Sequence, residues 1–445
     1  MDATQIKPGY LQTLTDLLLS DLDFACKSTN TPLHNFHSFP AKFPPELPRT
    51  FIRELTSASE TVLDPMLGSG TTILEAFLEN RRAIGFDIDT LALLISRVKT
   101  SSPDIDRLCD IGSKVLAKAK DAIVNQQDKL QTELQIRWDP KTKAFINFWF
   151  LPQTQLELMA LLREIEQIAD SDLREFLALT FSSIIITKSG GVSLAMDLGH
   201  TRPHKVPVIL ESKGQAENIK GKRIRSAIKE FEKRLNINLN ALRMHHELSS
   251  YFQPQIHYGD AQDLPLRDNS IDLIITSPPY ASNAIDYMRA HKFSLVWLGY
   301  SIEELTKHKA EYIGNTKIKD ISESLPPYSN SVISEISKVD ENKSKIFSSY
   351  LHEMKLVISE MFRVLKPGKA AVLVVGNSIL RGKNTYTAEC LAEIGQALGF
   401  LVPGIGKRNI DRNHRMMPVS HQVDLNSLVQ KRIHQEYVIG FYKPC

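Results

Sequence analysis

Four residues, Ser277, Pro278, Pro279 and Tyr280, directly follow the apolar run 271–276 and form a turn suited to hold a flat ring that bears an amino group. Both prolines have a fixed φ and no N–H to donate, so the turn offers carbonyl acceptors. The Ser277 hydroxyl adds an acceptor, and Tyr280 adds a ring face for stacking. An amine held there by its hydrogens would point its nitrogen outward. The spacing therefore predicts a site where an amine attacks a methyl donor.

A second Pro-Pro-Tyr sequence, at residues 326–328, serves as an internal comparison. It follows the residues 322–325 and no apolar strand, so the sequence predicts a loop there. The tripeptide alone is weak evidence, whereas an apolar strand that ends in Ser-Pro-Pro-Tyr is specific. The bland alternative for residues 277–280 is a turn that merely ends a strand.

The second chemical feature is a glycine turn between a short strand at residues 61–64 and an amphipathic run at residues 73–78. Its candidate ligand contacts are Asp64, Pro65, Gly68, Ser69, Gly70 and Thr71. Glycines let a ligand approach the backbone closely, and the two hydroxyl residues can cap the following helix, whose N-terminus attracts carboxylate or phosphate. No lysine follows Gly70, which excludes a nucleotide-phosphate loop, and the third glycine of the dinucleotide fingerprint is missing.

A second strand, at residues 82–89, ends in two carboxylates, Asp87 and Asp89. In a doubly wound sheet an acid at this point grips the ribose hydroxyls of a nucleotide. We assign that role to Asp87, with Asp89 as the alternative. An acid at a strand end can also simply cap the next helix.

Together these motifs resemble those of the S-adenosylmethionine-dependent amino methyltransferases of DNA, which act on N4 of cytosine or N6 of adenine. The glycine turn is similar to their motif I, and residues 85–87 are similar to their motif II. Residues 277–280 resemble motif IV in the Ser-Pro-Pro-Tyr form that is typical of N4-cytosine enzymes. Adenine enzymes more often carry Asp or Asn in place of Ser277.

Two further stretches extend the resemblance. Residues 37–48 are similar to motif X, which in this family lines the methionine end of the cofactor, so Phe39 and Pro40 are expected there. Residues 255–261 resemble the motif III strand, whose acid, here Asp260, or the next backbone amide meets the adenine ring.

The resemblance implies S-adenosylmethionine as the cofactor and a flipped cytosine as the target, because N4 is otherwise paired in the duplex. Tyr280 would stack on the base, while Ser277 and the carbonyl group around Pro278 hold the N4 hydrogens during direct attack on the sulfonium methyl. Asp64 would help to hold the methionine ammonium. This chemistry needs neither a metal nor a covalent intermediate, and the turn has no Pro-Cys for carbon-5 methylation.

The alternation of strands and helical runs predicts an α/β fold, namely a doubly wound, Rossmann-like class I methyltransferase sheet with a largely helical insert. We place motifs X, I and II in residues 1–100, a helical and basic insert that is a candidate for target recognition in residues 101–251, and motifs III and IV in residues 252–445. Within the last part, residues 301–349 are predicted to form a mobile loop.

Positive charge is concentrated in residues 200–250, which hold eleven Lys or Arg and five Asp or Glu, whereas the whole chain has a net charge of +3. Candidate DNA contacts are Lys222, Arg223 and Arg225, and a second basic group before the final strand contains Arg408, Arg412 and Arg415. Such residues neutralise phosphates and make binding salt-dependent. The alternatives are a solvated helix with internal ion pairs and a loop stitched down by arginine salt bridges.

The composition, 42% hydrophobic and 24% charged residues in a chain of 445, is that of an ordinary globular protein. The four cysteines are scattered, so neither zinc nor a disulfide framework is expected. No signal-peptide pattern is present and no apolar run reaches about 18 residues, which leads us to expect a cytoplasmic protein without membrane contact.

The expected partner is double-stranded DNA, and a cognate restriction endonuclease would fit a role in restriction-modification or host defence. Three alternatives stay open: a DNA adenine-N6 methyltransferase, an RNA amino methyltransferase, and a non-catalytic subunit that binds DNA or cofactor. The serine at position 277 favours cytosine over adenine as the target base.

Overall fold

The computed structural model describes residues 9–24, 31–39, 42, 44–187, 191–195, 198, 224–244, 252–281, 286–314, 324–410 and 435–445. Its strands are β1 (Thr61–Asp64), β2 (Arg82–Asp87), β3 (Gln255–Tyr258), β4 (Ile271–Thr276), β5 (Leu365–Gly376), β6 (Ile379–Leu380), β7 (Lys383–Asn384), β8 (Leu401–Asn409) and β9 (Gln435–Tyr442). Seven of them form one sheet in the order β3-β2-β1-β4-β5-β9-β8, and β6 pairs with β7 in a separate hairpin.

Strands β1 to β5 are parallel, whereas β9 lies between β5 and β8 and is antiparallel to both. This order places the carboxyl ends of β1, β2, β3 and β4 along one edge of the sheet, where a doubly wound fold binds its ligands. The prediction of a mostly parallel class I methyltransferase sheet is confirmed.

Helices precede the sheet, follow its first strands and form the insert. The first group is α1 (Tyr10–Leu19), α2 (Glu46–Leu55), α3 (Thr71–Leu78) and α4 (Thr90–Thr100), with a short 3-10 helix at Pro32–Asn35. The insert contains α5 (Ile105–Asn125), α6 (Gln127–Ile136), α7 (Pro140–Trp149), α8 (Pro152–Glu166), α9 (Ser171–Ile185) and α10 (Ala227–Arg243). The remainder are α11 (Tyr287–Leu295), α12 (Ile302–Lys309), α13 (Pro327–Ser337), α14 (Glu341–Val364) and α15 (Thr387–Ala397).

Aspartates determine where several of these helices begin. Asp89, Asp104, Asp139 and Asp170 precede α4, α5, α7 and α9, and each carboxylate accepts a hydrogen bond from a backbone N–H of the first turn. Each such cap is worth about 1 kcal/mol relative to alanine. The insert helices therefore have local start signals in the sequence in addition to their apolar faces.

The sheet separates two hydrophobic cores, because successive side chains of a strand point to opposite faces. On β5, Val372 and Val374 belong to one core, and Leu373 and Val375 belong to the other. Helices α13, α14 and α15 cover the second face. The first face is covered by the N-terminal helices and also by the insert, whose side chains join the same continuous core.

The prediction of a loop at residues 301–349 needs correction over the described residues 301–314 and 324–349. Its described residues form α12, α13 and the start of α14, although the sequence there is rich in serine and lysine. The reason is helical spacing of a few apolar residues, since Val332 and Ile336 lie four apart and are both buried. The Pro-Pro-Tyr at residues 326–328 is likewise no loop, because Pro327 occupies the first position of α13, where its missing N–H costs nothing.

Residues 407–409 begin the second basic group, for which the alternative to a DNA contact was a loop held by arginine salt bridges, and they form the end of β8. Among the described residues, none of the helices is long and apolar enough to cross a lipid bilayer.

Candidate active site

The glycine turn lies between β1 and α3 and is held by hydrogen bonds that its backbone amides donate. The Leu67 amide donates to the Phe86 carbonyl at 3.0 Å, and the Gly70 amide donates to the Leu67 carbonyl at 2.7 Å. The Gly68 amide donates to Oδ2 of Asp87 at 2.8 Å, which ties the turn to the end of β2. Gly68 and Gly70 have φ values of 49° and 71°, the left-handed region that glycine adopts most easily.

The rear of the turn is fixed by α4. The buried Lys99 ammonium donates to the Ser69 carbonyl at 2.6 Å, and burial lowers the pKa of Lys99 well below its usual range. A Cβ atom on Gly70 would lie 2.3 Å from Oγ and 2.9 Å from Cβ of Ser96. The missing side chain of Gly70 therefore makes room for α4.

Two predictions about this turn need correction. Gly70 was expected to contact the cofactor, but it faces α4 and lines neither of the two cavities at the carboxyl edge of the sheet. Ser69 and Thr71 were expected to cap α3, yet their hydroxyls lie 3.0 Å from each other and α3 has no side-chain cap. Both residues instead line one of these cavities.

Two carboxyl groups beside the turn have raised pKa values. Burial raises the pKa of Asp64 to about 6, although a hydrogen bond from the Met66 amide at 3.2 Å opposes the rise. Burial and the nearby Asp89 raise the pKa of Asp87 to about 7. Groups with such values in a cleft mark a functional site.

Asp89 has the structural role that was its alternative. Its Oδ1 accepts from the Leu91 amide at 2.9 Å and caps α4, while its Oδ2 lies 2.5 Å from Nδ1 of His291 on α11. Asp89 therefore joins α4 to α11, which follows the Ser-Pro-Pro-Tyr turn, and Asp87 is the remaining candidate for contact with a ribose.

The Ser-Pro-Pro-Tyr turn leaves the carboxyl end of β4, next to β1 in the sheet. The Tyr280 hydroxyl donates to Oε1 of Glu436 on β9 at 2.6 Å. Glu436 in turn forms an ion pair with Arg408 of β8. Burial, followed by the Glu436 charge, raises the pKa of Tyr280 well above its usual value.

Two adjoining cavities open at this edge of the sheet, with volumes of about 610 Å³ and about 640 Å³. Both are lined by Phe39, Met66, Gly68, Ser277 and Tyr287. The first cavity also contacts Lys42, Asp64, Leu67, Ser69, Thr71, Pro278, Tyr280 and Glu436. The second also contacts Pro65, Asp87, Ile88, Asp89, Ala92, Gly259, Asp260, Ala261, Pro279, Tyr312 and Ile313.

The chemistry of these walls fits S-adenosylmethionine. In the second cavity Asp87 and Asp260, at the ends of β2 and β3, offer acceptors to ribose hydroxyls and an adenine amine, beside apolar walls suited to a flat base. In the first cavity Asp64 and Lys42 offer charges of opposite sign to the ammonium and carboxylate of an amino acid. The carboxylates of Asp87 and Asp64 lie on either side of the glycine turn.

Known DNA methylases are similar to this chain in sequence. A DNA methylase family matches residues 20–97, which include the glycine turn and Asp87. Type II methyltransferase M.MvaI of Kocuria varians is 23% identical over 84% of this chain and 83% of its own length. Type II methyltransferase M.BsoBI of Geobacillus stearothermophilus is 24% identical over 83% of this chain and 79% of its own length.

The resemblance to the DNA amino methyltransferases is confirmed. The cofactor is S-adenosylmethionine, as the resemblance implied. Among solved structures, a SAM-dependent methyltransferase of Methanosarcina mazei covers 88% of this chain and 97% of its own, with 10% identity and a TM-score of 0.32. The fold assignment rests on the strand order and not on that likeness.

The candidate DNA contacts have different environments in the structure. Arg225 is exposed and lies 3.3 Å from Glu230, an internal ion pair of the kind expected of a solvated helix. Arg408 is buried, donates to Glu436 and to the Leu22 carbonyl, and is therefore withdrawn as a DNA contact. The remaining predicted residues, Pro40, Lys222, Arg223, Arg412 and Arg415, lie outside the described residues.

Several site residues were not found from the sequence. Glu436 opens β9, and only the pairing of β9 with β5 and β8 brings it to Tyr280. Lys99 looked like an ordinary helix lysine, and nothing local marks it as buried. Tyr287 could have been found, because its spacing from His291 places both on one face of the predicted amphipathic helix.

Proposed function

We propose that this methyltransferase transfers a methyl group from S-adenosylmethionine to N4 of cytosine in duplex DNA. The observation that carries the proposal is that Ser277 lines both cavities, with Pro278 in the wall of one and Pro279 in the wall of the other. An amine held at this turn would have its nitrogen at the junction of the two cavities. That is where a methyl donor bound along the glycine turn would present its reactive carbon.

In this reaction S-adenosylmethionine supplies an electrophilic methyl group on a sulfonium sulfur. The residues of the chain position the acceptor. The target cytosine leaves the stack at a cost of a few kcal/mol. Ser277 Oγ and the Pro278 carbonyl then accept the two N4 hydrogens, and the Tyr280 ring supports the base. Catalysis is positioning and preorganised electrostatics, since the turn is rigid before the base arrives.

Serine at position 277 supports cytosine over adenine. A neutral hydroxyl accepts a hydrogen bond from the amine without a full charge, whereas the aspartate of adenine enzymes carries one. The amino methyltransferases of DNA include both kinds of enzyme, so the adenine-N6 reaction is the second candidate.

Nucleoside analysis decides between the two bases. Plasmid DNA from a host without DNA methylation is incubated with the protein and methyl-labelled S-adenosylmethionine, digested and separated. We expect the label on N4-methylcytosine, and none with the Ser277→Ala variant. Label found only on N6-methyladenine would refute the cytosine assignment and leave the DNA methyltransferase standing. Labelling of RNA in place of DNA would refute the substrate.

We further propose a role in restriction-modification, supported by the names of M.MvaI and M.BsoBI as Type II methyltransferases. Such a protein modifies one short sequence completely. Sequencing of methylated positions in a host that expresses the protein should therefore reveal a single motif with nearly all copies modified. Scattered modification without a common motif would contradict this role.

A further inference from the structure

Three aromatic rings pack together where the two cavities adjoin. Phe39 precedes α2 and Tyr287 begins α11, and their ring centroids are 5.4 Å apart. The ring of His291, one turn further along α11, lies 5.1 Å from that of Phe39 and 5.9 Å from that of Tyr287. We call these three residues the aromatic cluster. Because Phe39 and Tyr287 both line both cavities, this pair stands at the junction.

The aromatic cluster is held by neighbouring parts of the fold. Nδ1 of His291 lies 2.5 Å from Oδ2 of Asp89, whose other oxygen caps α4. A Cβ atom on Gly68 would lie 3.5 Å from Cε1 and 3.6 Å from Cζ of Phe39, so this ring packs beside the glycine turn. The Phe39 ring therefore bridges the glycine turn and α11. A ligand at the junction meets rings that are already in position.

The cofactor carries its positive charge on the sulfur that bears the reactive methyl group. When the methyl carbon leaves, the electron pair of the S–C bond stays on the sulfur, which becomes a neutral thioether. Aromatic rings attract a cation within about 6 Å of the ring centroid, and the attraction is stronger where water is excluded. Burial, with the charges of Asp87 and Asp89, raises the pKa of Tyr287 above its usual value, so its ring stays a neutral phenol.

We propose that Tyr287, together with Phe39, binds the sulfonium group of S-adenosylmethionine; the inference rests on the proposed function, which places the methyl donor at the junction. The ring pair then distinguishes the cofactor from S-adenosylhomocysteine, the product that has lost both the methyl group and the charge. Because the attraction ends when the charge is lost, the product is released more readily and the cofactor replaces it.

Two rival explanations account for the position of Tyr287 in other ways. The carboxylates of Asp64 and Asp87 line the cavities, and they would attract the positive charge without help from the rings. A second rival is that the Tyr287 ring supports the flipped base. These rivals are separable, because the carboxylates remain when Tyr287 is replaced and the base is absent when DNA is left out.

The test compares the affinities for S-adenosylmethionine and S-adenosylhomocysteine, measured by calorimetry without DNA. The two ligands differ only in the methyl group and its charge, so the ratio of their dissociation constants reports recognition of the sulfonium. Tyr287→Leu removes the ring, whereas Tyr287→Phe removes the hydroxyl and keeps the ring. Tyr312→Leu is the matched control, because Tyr312 is a half-buried tyrosine that lines the second cavity and not the first.

We expect Tyr287→Leu to weaken binding of S-adenosylmethionine relative to S-adenosylhomocysteine by about 5- to 30-fold, which is what a cation–π interaction sheltered from water supplies. Tyr287→Phe should keep the wild-type ratio within about twofold, because the ring remains. Tyr312→Leu should weaken binding of both ligands equally, since the part of the ligand in the second cavity is common to both.

An equal loss of affinity for both ligands in Tyr287→Leu would overturn the proposal, because the ring would then only pack. Unchanged affinities together with slower methyl transfer to DNA would also contradict it and assign Tyr287 to the base. If circular dichroism shows that Tyr287→Leu is unfolded, Phe39→Leu decides by the same ratio. Wild-type protein that transfers no methyl group to DNA would refute the proposed function, and this failure is distinguishable because the binding ratios need no methyl acceptor.

Discussion

The Gly70→Ala substitution tests the role of the glycine turn most directly. The structure predicts that the added methyl group lowers folding stability, whereas a role in ligand binding would predict a loss of ligand affinity. Gly70 has a φ of 71°, which costs an L-residue about 1–2 kcal/mol. Its Cβ would also lie 2.3 Å and 2.9 Å from side-chain atoms of Ser96. Overpacking of this kind costs about 1–3 kcal/mol. Together these terms make Gly70→Ala unfavourable by about 2–5 kcal/mol.

Gly68→Ala is the matched control on the same turn. Its φ of 49° carries a similar conformational cost, but its Cβ would approach no atom closer than 3.5 Å. The overpacking contribution should be absent, so Gly68→Ala should be milder by about 1–3 kcal/mol. Urea unfolding followed by circular dichroism gives the free energy of unfolding of both variants.

A second substitution identifies the cause. Ser96→Gly removes both close atoms, so the double variant Gly70→Ala, Ser96→Gly should be more stable than the sum of the single effects predicts, by about 1–2 kcal/mol. The reasoning is refuted if Gly70→Ala is no less stable than Gly68→Ala, or if the two substitutions at Gly70 and Ser96 are additive.

The active site and the basic residues lead to three more predictions. Ser277→Ala should lower the rate of methyl transfer by at least about 100-fold while calorimetry shows unchanged cofactor binding, and normal turnover would remove this turn from the reaction. Burial raises the pKa of Asp87 to about 7, so its carboxylate, the form that accepts hydrogen bonds from ribose hydroxyls, appears as the pH rises through that value. Affinity for S-adenosylmethionine should therefore increase from roughly pH 6 to pH 8. The Asp87→Asn variant should show no such pH dependence. Charge reversal at Lys222 and Arg223 should weaken DNA binding and reduce the slope of log affinity against log salt concentration by about 1 for each phosphate that is no longer neutralised. Charge reversal at Arg225, which forms an ion pair with Glu230, should have a smaller effect. Unchanged slopes would show that these residues lie on a solvated face that does not contact DNA.

The strands and turns of the catalytic part could be predicted because their signals are local. The residues at 61–64, 82–87, 255–258 and 271–276 form strands where the sequence predicts them, since each is a short apolar run closed by a turn or an acid. The Ser-Pro-Pro-Tyr turn and Asp87 were found in the same way.

The incorrect predictions concern residues whose position depends on contacts with residues that are distant in the sequence. Gly70 was assigned to ligand binding because no local sequence pattern reveals that it packs against Ser96 of α4. Arg408 was assigned to DNA because a basic sequence resembles a surface loop, whereas it occupies an inward position of β8 opposite Glu436. Tyr280 and Glu436 are 156 positions apart, so their contact depends on strand pairing.

The continuous core beneath the insert limits how the protein can be re-engineered. Phe176 of α9 packs edge-on against Phe36 of the N-terminal region, with ring centroids 5.8 Å apart, and Phe150 of the insert packs against Trp297 at 5.4 Å. Replacement of the whole insert by a foreign one would expose the buried rings that remain on the sheet side. The free energy of unfolding would fall by about 3–5 kcal/mol for each large aromatic side chain removed from the core. Redesign of the insert is therefore better made at its surface residues than by grafting a whole foreign insert.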